Sequence, residues 1–221
     1  MHAPPEGYSV VMCASYGLGG GPHDLELTFD LPPMHEPESR ALLAEWARQH
    51  RSTARITGRN ARNMNPLIHS GFGVPRVDLA WWWLHVGGAP AKFSAFNARE
   101  DTLATKWRDP LQRRAIIPAN WYIEKGHTFA LPGDELFGIA AIVTPFTQAD
   151  GSTLLSYAMV TRAAEAEAAT VHPRMPLILA RESHAAWLDP ERPGDRALVA
   201  EMVAASEPLA EAALVIAEPA A

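Results

Sequence analysis

Apolar and polar positions along this chain fall into short blocks, and no single period runs through it. Residues 1–11 carry no pattern and are Pro-rich. Residues 12–36 hold a Gly-rich turn (Gly17 to Gly21) and an alternating segment, LELTF, that predicts a short strand. From 38 to 50 the spacing of Leu42, Leu43, Trp46 and Ala47 predicts a helix with one apolar face. Gly58, Pro66, Gly71, Gly73 and Pro75 punctuate residues 51–76, which read mostly as loop. The run VDLAWWWLHV (77–86) predicts a strand, and SAFNAREDTLA a strand end entering a short helix. Residues 113–124 read as a strand, a break at Pro118 and a second strand. LFGIAAIVTPF (136–146) and LLSYAMVT (154–161) predict two buried strands joined by the turn QADGS. AAEAEAATV predicts a short helix, and ESHAAWL and RALVAEMVAA make a helical tail. Strands interspersed with helices, without regular βαβ alternation, predict an α+β domain.

Composition narrows the field. The 221 residues are 48% hydrophobic and 20% charged, as in a globular chain long enough to bury a sizeable core. A single cysteine excludes an internal disulfide and a multi-cysteine zinc site. No apolar run approaches the roughly 20 residues that span a bilayer. The N-terminus lacks the basic and apolar regions of a signal peptide, so the expected compartment is the cytoplasm. A formal charge of −6 argues against nonspecific coating of nucleic acid, yet Arg40, Arg48, Arg51, Arg55, Arg59 and Arg62 are opposed over their span only by Glu45. That patch is either a solvated face or a surface that grips phosphates. The histidines show no H-x-x-x-H or H-E-x-x-H spacing, so neither a metal nor another cofactor is expected.

Three segments carry chemistry: Met12-Cys13, FNARED with Glu124 downstream, and His172-Pro-Arg-Met-Pro. Each has a bland reading. A lone cysteine is most often a small buried hydrophobe, and a lone histidine beside a proline is most often structural. Glu124 stands in an apolar run, where a carboxylate needs a partner or a raised pKa.

In order, Met12-Cys13, N-A-R-E-D-T (97–102), R-A-I-I-P-A-N-W-Y-I-E (114–124) and V-H-P-R-M-P-L-I-L (171–179) resemble the SRAP family, the SOS response-associated peptidase domain. That family's pattern runs Met-Cys, N-A-R-x-E-T, R-C-x-x-P-A-x-G-[WF]-[YF]-E-W and H-x-R-M-P. The resemblance spans residues 12–190. It implies a largely antiparallel, barrel-like sheet with flanking helices, formed by residues 12–221 as one domain. It also implies a monomeric protein that captures abasic sites in single-stranded DNA, nucleoid-associated when bound, with a self-processing peptidase activity. Cys13 would be the nucleophile, condensing through its α-amine and thiol with the sugar aldehyde to a thiazolidine. Asn97 would orient the cysteine or sugar, Glu124 would exchange protons with the sugar oxygen and imine, and His172 would act in ring opening and reversal. Arg99 and Arg174 would hold flanking phosphates, joined by Arg59 and Arg62 of the basic patch. Trp82 and Trp83 match the family's Trp-rich segment, where an aromatic stacks on a base.

The chain departs from the pattern at Ala14 and Ser15, Ala115, Trp121 and Lys125, and it lacks the usual closing-strand motif. An internal Cys13 carries an amide nitrogen, which cannot form an imine. Three readings follow for residues 1–11: translation starts at Met12, the segment is removed before Cys13, or crosslinking has been lost. The rival functions are a non-catalytic single-stranded DNA-binding module and a thiol hydrolase using Cys13 and His172.

Overall fold

The long apolar runs become walls of a closed barrel, and shorter segments form a second sheet beside it. The computed structural model describes residues 13–31, 37–58, 61–71 and 74–216. In chain order, β1 (Ser15–Gly17) precedes α1 (Pro22–Phe29), α2 (Pro37–His50) and β2 (Thr53–Arg55). A hairpin of β3 (Met64–Gly71) and β4 (Val74–Trp82) leads to a ribbon, β5 (His85–Val86) and β6 (Ala89–Pro90). Next, β7 (Asn97–Arg99) runs directly into the single turn α3 (Glu100–Leu103). Five strands follow: β8 (Arg114–Ala119), β9 (Trp121–Glu124), β10 (His127–Ala130), β11 (Phe137–Thr147) and β12 (Thr153–Ala163). After α4 (Ala166–Val171) come β13 (Arg174–Pro176), β14 (Ile178–Leu179), α5 (His184–Leu188), α6 (Arg196–Ala205), α7 (Glu207–Ala212) and β15 (Leu214–Ile216).

The barrel closes because β12 pairs with both β4 and β11, completing the ring β12–β4–β3–β8–β11. Only the β12–β4 pairing in that ring is parallel. All of β8, residues 137–143 of β11 and residues 156–162 of β12 are buried. Covered on both faces, these strands carry continuous apolar runs instead of alternation. Buried Arg114 knits the C-terminal segment to the barrel wall. Its guanidinium donates to the carbonyls of Leu111, Trp187, Asp189 and Arg192 at 2.5 to 2.9 Å.

The second sheet has the order β15–β10–β9–β1–β2, antiparallel throughout. Lys125 (φ 50°) and Gly126 (φ 82°) make the two-residue turn between β9 and β10. Positive φ at both positions matches the twist of the flanking strands and sets Glu124 at the end of β9.

Four expectations need correction. LELTF is helical: Pro22 opens α1, Asp24 accepts from Gly21 N–H at 2.7 Å, and Leu25 and Phe29 bury one helical turn apart while Leu27 stays exposed. The short segment's alternation was coincidental with that i, i+4 pair. Residues 51–76 contain β2, β3 and the start of β4, because Pro66 and Pro75 keep extended backbone inside a paired hairpin. Pro118 lies within β8 opposite Gly138, and the break falls at Asn120, whose N–H donates to Gly17 O at 2.8 Å. Finally, a closing strand exists: β15 pairs β10 from Thr128↔Ile216 to Ala130↔Leu214.

Candidate active site

The two sheets meet where β12 ends. Along its last residues β12 takes β7 on one side, with Met159↔Asn97 and Thr161↔Arg99, and β13 on the other, with Ala163↔Arg174. Facing this edge, the second sheet presents Cys13, two residues before β1, and Glu124, the last residue of β9. Two contacts bridge the sheets here. Asn97 Nδ2 donates to Cys13 O at 3.1 Å, and His172 Nδ1 lies 3.8 Å from Glu124 Oε1. Deeper in, the Tyr16 and Tyr157 hydroxyls share a 2.7 Å hydrogen bond.

The central contact is between Cys13 and Glu124. Cys13 N donates to Glu124 Oε2 at 2.6 Å, a charge-assisted length, and both residues are buried. Burial raises the Glu124 carboxyl above the usual range, while the Cys13 N–H and the charges of His172 and Lys125 draw it down. Burial, and then the charge of Glu124, pushes the Cys13 thiol up, so it rests as a neutral thiol. Its Sγ lies 3.6 Å from Ser15 O. His172 caps the C-terminal end of α4, and its Nδ1 lies 3.0 Å from Arg174 O and 3.2 Å from Arg174 N. The tautomer decides which of these bonds forms, and thereby whether Nε2 accepts or donates. His172 Nε2, Glu124 Oε1 and Tyr122 Oη are all buried without a hydrogen-bond partner among the described residues.

The arginines beside this centre are already occupied. Arg174 makes a forked ion pair with Glu100 and also donates to Thr161 O. Burial, then the charge of Arg99, lowers its pKa to about 10. Exposed Arg99 forks onto Asp101.

The remaining expected residues lie elsewhere. Arg62 is exposed and donates to Gln148 in the β11–β12 turn, eight or more residues along β12 from Thr161 and hence roughly 30 Å away. Arg59 lies outside the described residues, as do residues 1–12. In the basic patch, Arg48 is paired with Glu45 and Arg40 with Glu26, whereas Arg55 stands opposite Ser15 across the β1–β2 ladder. Base stacking by Trp82 and Trp83 does not fit their placement. Trp82 is fully buried, stacked on Tyr157 and donating to Phe96 O; buried Trp83 donates to Ala91 O. Neither indole has a free face, because both serve as core. Tyr122 was not singled out in the sequence, where an aromatic in a strand-forming run reads as packing; its buried hydroxyl is unmatched among the described residues. A separate cavity of about 790 Å³, lined in part by His85, Phe93, Lys106 and Arg113, shares no lining residue with the Cys13 centre.

With this geometry in place, comparison with known proteins is decisive. A family model described as SOS response associated peptidase (SRAP) matches residues 12–217. The chain belongs to the SRAP family. Similar SRAP relatives include the abasic site processing proteins YoqW and YobE of Bacillus subtilis (strain 168), 29% and 30% identical over 145 residues. Those alignments take in 59% of this chain and span 65% and 66% of the relatives' own length, just under two thirds. The same fold is seen in a solved protein of Bacteroides thetaiotaomicron, with a TM-score of 0.66, 18% identity and 86% of each chain covered. A phage-related protein of Bordetella bronchiseptica gives a TM-score of 0.63 at 17% identity, over 93% of this SRAP chain and 95% of that one. No described helix is long and apolar enough to cross a membrane.

Proposed function

We propose that this SRAP protein processes abasic sites in single-stranded DNA, capturing the ring-opened sugar on Cys13. The 2.6 Å approach of Cys13 N to Glu124 Oε2 carries the reading, because it sets a proton-exchanging carboxyl on the nitrogen that must react. While Met12 is still attached, that nitrogen is the leaving group of the Met12–Cys13 peptide bond. Water adds to the Met12 carbonyl, Glu124 passes its proton to the Cys13 nitrogen as the C–N bond breaks, and the proton lost by the water returns to the carboxylate, leaving the Met12 acid and the Cys13 amine. A carboxyl raised by burial keeps that proton to higher pH than an exposed one does.

Capture follows on the freed amine. An α-ammonium titrates near 8, and Glu124 accepts its proton, leaving a neutral amine. The amine adds to the C1′ aldehyde and loses water to give an imine. The thiol then adds to the imine carbon; the S–C bond forms, the C=N π pair becomes a nitrogen lone pair, and the sulfur's proton ends on nitrogen. The high thiol pKa favours this order, amine first and sulfur second. His172 exchanges protons with the sugar during opening through its unengaged Nε2. Asn97 fixes the Cys13 carbonyl, and Arg99 and Arg174 meet flanking phosphates by exchanging their carboxylate partners for them.

The test is a denaturing gel of protein mixed with single-stranded DNA carrying one abasic site, alongside intact mass of the full chain after incubation. The expected results are loss of residues 1–12 and a denaturation-resistant band absent from Cys13→Ala. A salt-sensitive shift with no covalent band would overturn capture and leave a non-covalent DNA-binding module.

A further inference from the structure

Tyr122 has a chemistry that the proposed function leaves unused. On β9 it shares a face with Glu124: both are buried, whereas Trp121 and Ile123 between and beside them are half-buried. Two residues along a strand place these side chains roughly 7 Å apart at their bases. The Tyr122 ring is pinned, stacked on Phe129 at 5.1 Å between centroids with 11° between planes, and paired in register with Tyr16. Its hydroxyl is buried and has no hydrogen-bond partner among the described residues. Burial, then the charges available to Cys13 and Glu124, holds the phenol above its ordinary value, so it is neutral throughout the working range. An unmatched buried hydroxyl is costly, and phenylalanine, which lacks it, is one of the residues the family motif carries at this position. A fixed, neutral group that both donates and accepts is matched to a neutral hydroxyl and poorly matched to phosphate.

Ring opening of an abasic deoxyribose releases two groups, the C1′ aldehyde and the 4′-hydroxyl. We infer that the Tyr122 hydroxyl binds the 4′-hydroxyl released on the sugar, holding it away from C1′ while Cys13 reacts. The inference rests on the capture reading above. In ring closure the 4′-oxygen attacks C1′ and its proton passes to the aldehyde oxygen; a hydrogen bond to Tyr122 Oη withholds that oxygen from the attack. Tyr122 thus supplies selectivity for an opened sugar over an arbitrary aldehyde.

The experiment compares Tyr122→Phe with the parent, each with Cys13 as first residue. The two substrates are an abasic single-stranded oligonucleotide and one bearing an aldehyde on an unbranched alkyl tether without the hydroxyl. The expected result is a capture rate about tenfold lower for Tyr122→Phe on the abasic strand, as for one lost hydrogen bond, and equal rates on the alkyl aldehyde. The variant's melting temperature is expected to equal or exceed the parent's, because the phenylalanine removes an unmatched polar atom. A lowered melting temperature with proportional losses on both substrates makes Tyr122 structural and overturns the assignment, as does an unchanged rate on the abasic strand. Failure of the parent to capture either aldehyde overturns the capture reading itself, and the assignment to Tyr122 falls with it.

Discussion

In the proposed reaction Cys13, once freed from Met12, offers two nucleophiles, and its surroundings treat them oppositely: the nitrogen has a proton acceptor at 2.6 Å, while the sulfur is held protonated. Glu124 therefore sets the pH response. Its carboxyl is raised by burial, so the stability its neutral form supplies is fully present below the ordinary carboxyl value and is lost as pH rises through the raised one. Glu124→Gln, which cannot ionise, is expected to melt progressively higher relative to the parent as pH goes from 5 to 8, with capture slowed about 100-fold. A melting difference that stays flat with pH would overturn a raised Glu124 carboxyl titrating in this range. At this scale the sequence was informative: Cys13, Asn97, Glu124 and His172, spread from 13 to 172, meet at one point. What could not be read was polarity hidden in packing. Tyr122 was not singled out, and Trp82 and Trp83, which the family resemblance offered for base stacking, are core. Nor could a linear reading show that Glu100 neutralises Arg174, 74 residues away.

Among the elements, the β1–β9 pair explains a departure that looked damaging. The family motif has glycine where this chain has Trp121, and directly opposite, β1 presents Gly17. A Cβ on Gly17 would lie 2.0 Å from Trp121 Cε2 and 2.4 Å from its Nε1, so the indole occupies the space that a side chain there would need. Gly17→Val is expected to destabilise the protein by about 1–3 kcal/mol, with recovery on combining it with Trp121→Gly; additive losses in chemical denaturation would contradict the exchange. Element reading succeeded for the long buried strands β11 and β12, where length and β-branched content outweigh any ambiguity. It failed for α1 and β15, which are short and take their identity from a proline at the helix start and from a neighbour distant in sequence.

For the molecule as a whole, a formal charge of −6 and two arginines tied up by Glu100 and Asp101 predict weak affinity for intact single strands. In the proposed function DNA has to displace these carboxylates before it meets Arg99 or Arg174. Glu100→Gln is expected to tighten binding severalfold and to steepen the dependence of log K on log salt by about 0.7, the slope of one added phosphate contact. An unchanged slope in a salt titration would show that Arg174 does not reach DNA. The closed barrel was expected only through the family resemblance, since closure depends on β12 pairing with both β4 and β11, a property of register that composition does not carry.

Cys13 lies just ahead of a strand with neighbours on both sides, β9 and β2. Anything fastened to Cys13 pulls on β1 along its length. The hydrogen bonds of both ladders lie across that direction, so tension loads them together in shear and does not peel them singly. A passing motor that tugs on DNA held at this residue would thus meet the mechanical strength of the sheet's interior.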